Sequence, residues 1–137
     1  MAFLDIFSKK EIKQTEQIKP KIIVDTREKQ SLVVSELIEQ GCDVEFRHLH
    51  VGDYIVKDVI IERKTVSDFI SSMLNKRLIL QLQDLQKIPK KLLLIEGIEE
   101  QELYQSESGI NENAIRGFLL SILLNYQVPI IFTKNYE

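Results

Sequence analysis

The stretch Gly52-Asp53-Tyr54-Ile55-Val56-Lys57-Asp58-Val59-Ile60-Ile61-Glu62-Arg63-Lys64-Thr65-Val66-Ser67-Asp68 decides how this chain is read. Two short apolar runs, 54–56 and 59–61, flank Lys57 and Asp58, the pattern of a β-hairpin. An even-numbered turn sets Val56 opposite Val59, Ile55 opposite Ile60, Tyr54 opposite Ile61 and Asp53 opposite Glu62. Directly opposed residues share a sheet face, with Cβ atoms about 4.5–5.5 Å apart. Two carboxylates so placed repel each other unless a cation sits between them. Strand alternation sends Lys64 to the face of Glu62 and Arg63 to the other face. The hairpin therefore ends in a candidate metal site, two acids with an amine beside them.

On its C-terminal side, Thr65 is placed to cap a helix carrying Val66, Phe69, Ile70, Met73 and Leu74 at helical spacing. Asp68 has two readings: Thr65-x-x-Asp68 resembles a capping box, with an acid favoured by the helix dipole, and the same carboxylate can reach the acidic cluster. A second helical pattern over 78–88 closes at Pro89, and 92–95 is a buried strand. Residues 98–113 are polar and loop-like. Asn111 or Asn113 offers a cap for an apolar helix over 114–126, and 129–132 supplies a last strand.

On the N-terminal side, Ile22, Ile23 and Val24 form a β-branched run that reads as a strand ending at Asp25, with Arg27 and Glu28 just beyond. Functional groups of α/β folds gather at such strand ends. A helix over 31–40 is bracketed by Ser31 and Gly41, and 44–49 alternates as a half-buried strand. Residues 1–20 are read as an N-terminal tail or docking segment, and 21–137 as one domain. Strands alternate with helices apart from the hairpin, which gives an α/β three-layer sandwich, a mixed central sheet flanked by helices.

The 137 residues, 44% of them hydrophobic, suit one compact domain. No stretch approaches the ~18 apolar residues of a membrane span, and no cleavable leader is expected. A single cysteine, Cys42, fits a reducing compartment, cytoplasmic and nucleoid-associated or nuclear. The net charge of −3 argues against gripping nucleic acid by bulk positive charge, unless clustered acids hold a cation that reverses the local sign.

Val24-Asp25-Thr26-Arg27-Glu28, Val51-Gly52-Asp53-Tyr54, Ile61-Glu62-Arg63-Lys64 with Asp68, Asn113-Ala114-Ile115-Arg116-Gly117 and 128–132 closely resemble the nuclease domain of the XPF/Hef endonucleases over residues 21–134. The resemblance implies a restriction-endonuclease-like fold and cleavage of branched DNA, such as flaps and forks, in repair or replication-fork processing. It implies that Asp25, Asp53, Glu62 and Asp68 bind metal, and that Arg27, Glu28, Arg63 and Lys64 complete the active site. It also implies a helix-hairpin-helix or helicase module, neither of which this sequence contains.

Hard oxygen ligands suit Mg²⁺ or Mn²⁺, which can activate water and relieve charge on phosphorus. We assign Asp53 and Glu62 to direct coordination, Asp25 and Asp68 to direct or water-mediated contact, and Lys64 to orienting water or stabilising the phosphate. Arg27, Lys76, Arg77 and Arg116 are candidate DNA contacts, although Lys76-Arg77 is equally read as a solvated helix end. His48 and His50 read as surface residues, since no second Cys or His pair completes a zinc site. The competing class is a catalytically silent DNA-binding or dimerisation subunit of the same family. The helix over 114–126 carries more apolar surface than one buried stripe needs, so we expect a homodimer, the competing explanation being burial of that helix on both sides within one chain.

Overall fold

The computed structural model describes residues 18–97 and 111–137. The expected loop over 98–113 and the N-terminal segment therefore lie largely outside the described residues.

Strand β1 (Lys21–Asp25) is the β-branched run. A 3-10 turn (Thr26–Glu28) follows it, then helix α1 (Leu32–Glu39), whose Ser31 cap accepts the Val33 N–H at 3.2 Å. Gly41 takes φ +88°, a left-handed conformation that ends the helix without a Cβ clash. Strand β2 (Asp43–Arg47) runs parallel to β1. It stops two residues short of the expected end at Leu49, because the Leu49 N–H donates to Asp25 Oδ1 at 2.9 Å instead of joining a ladder.

From Tyr54 to Ile61 the hairpin has the expected register. β3 (Tyr54–Val56) and β4 (Val59–Thr65) pair Val56 with Val59, Ile55 with Ile60 and Tyr54 with Ile61, around the two residues Lys57 and Asp58. Lys57 holds φ +56°, the positive value that tight hairpin turns require at their first central residue. Helix α2 (Val66–Leu74) starts from Thr65, whose hydroxyl accepts the Asp68 N–H at 3.2 Å. Helix α3 (Arg77–Gln86) ends two residues before its expected close. Strand β5 (Lys91–Glu96), helix α4 (Glu112–Leu124) and strand β6 (Ile130–Thr133) complete the order. Helix α4 begins two residues earlier than its apolar pattern, because Asn111 caps it by accepting the Asn113 N–H at 2.8 Å.

The six strands lie in the order β2-β1-β3-β4-β5-β6; β3 is antiparallel to both its neighbours, and the remaining pairs are parallel. Alternation along β4 divides the sheet into two faces. Ile60 joins the larger core with Phe69, Leu78, Leu82, Leu85, Leu93, Ile95, Ile115 and Ile122, beneath α2, α3 and α4. Ile61 joins the smaller core with Ile22, Val24, Val34 and Tyr54, beneath α1. The result is the three-layer sandwich. Each fully buried leucine contributes about 1.5–3 kcal/mol by leaving water, and most of that apolar weight lies behind the face that carries Glu62 and Lys64.

Candidate active site

Residues 62 and 64 share a face of β4 by alternation, and Asp53 joins them in one cleft from the end of the adjacent strand β3. The Asp53 N–H donates at 2.8 Å to the carbonyl of Ile61, the residue that already faces Tyr54, so the chain bulges at Asp53 and the expected direct pairing of Asp53 with Glu62 gives way to a one-residue slip. The Arg63 N–H in turn donates to the Asp53 carboxylate at 2.8 Å. Gly52 makes this approach feasible. It holds φ +77°, and a Cβ there would stand 2.4 Å from Ile60 Cγ2 and 3.2 Å from Ile61 O.

The two acids share the cleft, Glu62 buried and Asp53 half-buried. Glu62 is only 7% exposed, and burial, followed by the charge of Asp53, pushes its carboxyl up to about 7. Burial likewise raises Asp53, against the lowering effect of the Arg63 N–H. Lys64, 3% exposed, is lowered by burial; its Nζ stands 3.7 Å from Glu62 Oε1 and donates to Ser72 Oγ at 3.4 Å. This is electrostatic strain of the kind a divalent cation relieves.

A cleft of about 260 Å³ is lined by Arg27, Glu28, Asp53, Glu62, Arg63, Lys64 and Asp68 together with Arg77 and Gln81. Seven of the eight residues expected at the catalytic centre are thus brought together. The eighth, Asp25, stands behind the cleft. It is fully buried, with Oδ1 accepting the Leu49 N–H and Oδ2 accepting the backbone N–H and the side-chain Nε of Arg27. Burial works to raise its carboxyl, but these hydrogen bonds prevail and hold it below its ordinary value. Both oxygens of Asp25 are thereby committed to holding Arg27 and the loop at Leu49.

Arg63 leaves the face of Glu62 and Lys64, as alternation requires. Its guanidinium donates to Glu96 Oε2 at 2.8 Å and lies 3.7 Å from Glu28 Oε2, which also accepts the Tyr54 hydroxyl at 2.8 Å. Glu28 and Arg63 therefore tie the end of β1 to the end of β5 beside the cleft.

Of the candidate DNA contacts, Arg27 and Arg77 line the cleft, and Arg77 also donates to Ser72 Oγ at 3.2 Å. Lys76, in a left-handed conformation at the start of α3, and Arg116, 3.5 Å from Glu112 on α4, do not line it. His50 lines a second, adjoining cleft of about 180 Å³ with Asp84, and its ring meets that of His48 edge to face at 5.1 Å.

Three contributors escaped the sequence reading: Ser72 beneath Lys64, Glu96 beside Arg63, and Gln81, whose Nε2 donates to Glu62 Oε1 at 3.0 Å. Gln81 left a signal. It falls on the apolar stripe of α3 with Leu78, Leu82 and Leu85, where a polar residue needs a reason.

Among the described residues no three His, Cys, Asp or Glu side chains form a group that could by itself hold a metal ion. The Asp53–Glu62 pair nevertheless fits Mg²⁺ or Mn²⁺, because such ions are commonly held by one or two carboxylates, with water and substrate phosphate completing the shell. The lining supports the same fit. Four basic groups (Arg27, Arg63, Lys64, Arg77) face four acidic ones (Glu28, Asp53, Glu62, Asp68), so a divalent ion tips the cleft toward binding phosphate.

The sandwich, with an acid pair and a buried lysine delivered to one cleft by the central hairpin, defines a restriction-endonuclease-like domain. The chain belongs to the ERCC4 domain family, which matches residues 24–137. It is 45% identical over 118 residues to a Methanocaldococcus jannaschii protein named as a candidate ATP-dependent RNA helicase, covering 85% of this chain and 14% of that one. It is 32% identical over 117 residues to the 3'-flap repair endonuclease Xpf of Saccharolobus solfataricus, covering 84% of this chain and 49% of the relative. The solved structure of XPF from Aeropyrum pernix in complex with DNA matches with a TM-score of 0.74 at 30% identity, over 86% of this chain and 58% of that one. The chain thus spans half or less of these two relatives' length.

Proposed function

We propose that this domain is the catalytic part of a divalent-cation-dependent endonuclease that hydrolyses phosphodiesters near junctions of branched DNA in repair or replication-fork processing. The observation that carries the reading is the cleft in which half-buried Asp53 and buried Glu62 stand close enough to repel, beside buried Lys64. The membership in the ERCC4 family and the flap endonuclease among the relatives support the branched substrate.

Asp53 and Glu62 would hold Mg²⁺ or Mn²⁺ directly, with Asp68 and Asp25 acting from further out. The bound ion would lower the pKa of water and offset charge on the phosphate. Lys64 presents an ammonium next to Glu62, where it can hold a phosphate oxygen or orient the water. Arg27, kept in place by Asp25, and Arg77, kept in place by Ser72, contact neighbouring phosphates and so position the strand without reading bases. Hydrolysis forms one bond from water oxygen to phosphorus and breaks the bond to the leaving oxygen.

The active form is proposed to be a homodimer. On α4, Ile115, Leu119 and Ile122 face the core, while Leu120, Leu123 and Leu124 are 55%, 44% and 71% exposed. Among the described residues the helix is therefore covered on one side only, which favours a second copy over enclosure within the monomer.

The test is incubation with labelled flap, fork and four-way junction DNA, with and without Mg²⁺. Cleavage of flap or fork DNA that needs the ion and is abolished in Asp53→Asn and in Glu62→Gln, with DNA binding retained, supports the reading. Cutting by either variant at near the unsubstituted rate would overturn the metal site. No metal-dependent cleavage of any branched substrate by the unsubstituted protein would favour the silent-subunit reading.

A further inference from the structure

Gln81 is held between the core and the cleft. Its neighbours on the same helical face, Leu78, Leu82 and Leu85, are buried in the large core, while its own side chain turns to the acid of β4. The amide Nε2 donates to Glu62 Oε1, and the amide Oε1 is buried without a hydrogen-bond partner. Chemistry sets this orientation, since only the NH₂ end of a carboxamide can face a carboxylate. Lys64 Nζ approaches the same atom, Glu62 Oε1, at 3.7 Å. One oxygen of Glu62 thus accepts a hydrogen bond from Gln81 and faces the Lys64 ammonium, and among the described residues no hydrogen bond is made to the other, Oε2.

We propose that Gln81 is the positioning residue that orients Glu62 for a divalent cation, by holding Oε1 and presenting Oε2. The inference rests on the endonuclease reading above and assigns the cation a support that the hairpin alone does not supply. The unpaired Gln81 Oε1 strengthens it. A buried acceptor is costly to leave unmatched, and this cost is borne by a residue lining both clefts beside Asp53 and Glu62, as expected of a side chain held for its other end, the Nε2 that meets Glu62. Partners that orient a ligating side chain typically change metal affinity or activity by about 10- to 100-fold when removed.

The experiment measures Mn²⁺ binding by electron paramagnetic resonance on the full chain, together with thermal unfolding without metal and flap cleavage across a Mn²⁺ series. Gln81→Met keeps the length and volume and removes both polar ends. Gln81→Asn keeps the carboxamide but draws it back by one methylene. Each is expected to weaken Mn²⁺ binding about 10-fold, and to raise the Mn²⁺ needed for half-maximal cleavage in parallel, with cleavage at saturating metal largely restored. Gln83→Ala, an exposed change on the same helix, should leave binding unaltered. If Gln81→Met fails to fold, Gln81→Asn carries the test. A folded variant that binds Mn²⁺ within twofold of the unsubstituted protein would overturn the role of Gln81 and leave the endonuclease reading standing. If the unsubstituted protein binds Mn²⁺ no better than Asp53→Asn/Glu62→Gln, the metal site itself fails.

Discussion

Replacing Glu62 by glutamine should stabilise the metal-free protein, and by an amount that depends on pH. In the folded chain the carboxyl is pushed from 4.5 up to about 7. At about 1.4 kcal/mol for each tenfold change in proton affinity, keeping it ionised costs about 3 kcal/mol more folded than unfolded. Asp53 is raised as well and takes part of that repulsion, so about 2 to 3 kcal/mol is expected from the single change. The sign follows from proton binding. Below pH 4.5 the group is neutral in both states, and the two proteins should be equally stable. Between 4.5 and about 7 the folded chain keeps a proton that the unfolded chain has released, so the unsubstituted protein loses stability as pH rises. Above about 7 the whole deficit is present. For a domain of this size the difference at pH 8 corresponds to roughly 6–12 °C in Tm. Calorimetry or circular dichroism of both proteins in chelator, from pH 4.5 to 8.5, measures it. Mg²⁺ should then raise the Tm of the unsubstituted protein more than that of Glu62→Gln. Equal Tm values at pH 8, or a difference that does not change with pH, would refute the claim that the acid pair is strained without its ion.

Gly52→Ala should cost at least about 1–3 kcal/mol, because it forces φ +77° on a residue with a Cβ and drives that carbon into Ile60. Since Asp53 is the next residue, cleavage should fall more than stability explains, as measured on flap DNA well below the variant's Tm. Leu120→Glu/Leu124→Glu removes apolar surface outside the core, so light scattering should show a monomer of unchanged fold; a dimer that persists would place the interface elsewhere. Gly117→Ala meets nothing within 4 Å and should stabilise the isolated chain by about 0.5–1 kcal/mol. A drop in dimer affinity with that substitution would show that a second copy covers Gly117 closely.

The hairpin was legible because its information is local. A two-residue turn fixes the pairing of 54–56 with 59–61, and a period of two places Glu62 and Lys64 on one face and Arg63 on the other, whereas Asp53 reaches them through a bulge that the pattern does not announce. The caps at Ser31, Thr65 and Asn111 were legible for the same reason, since each side chain serves an N–H two or three residues ahead. Where the end of an element depends on a distant partner, sequence reasoning went astray. The strand over 44–49 alternates to its end, yet Leu49 is taken by Asp25, 24 positions earlier in the chain.

The sequence by itself thus determined the layered α/β class, the register of the hairpin and the acids and lysine it delivers. Only the tertiary structure decided what each of those groups is free to do. Asp25 and Glu62 are both strand acids, but Asp25 lies where a backbone N–H and Arg27 satisfy it, while Glu62 lies against Asp53 in a poorly solvated cleft and is raised toward neutrality. Gln81 acquires its partner only because folding brings α3 against Glu62 of β4, and Arg63 finds Glu96 because β5 docks parallel to β4, 33 positions along the chain. Burial and opposing charge are sums over neighbours that the chain brings together by folding, and no local pattern of residues carries that sum.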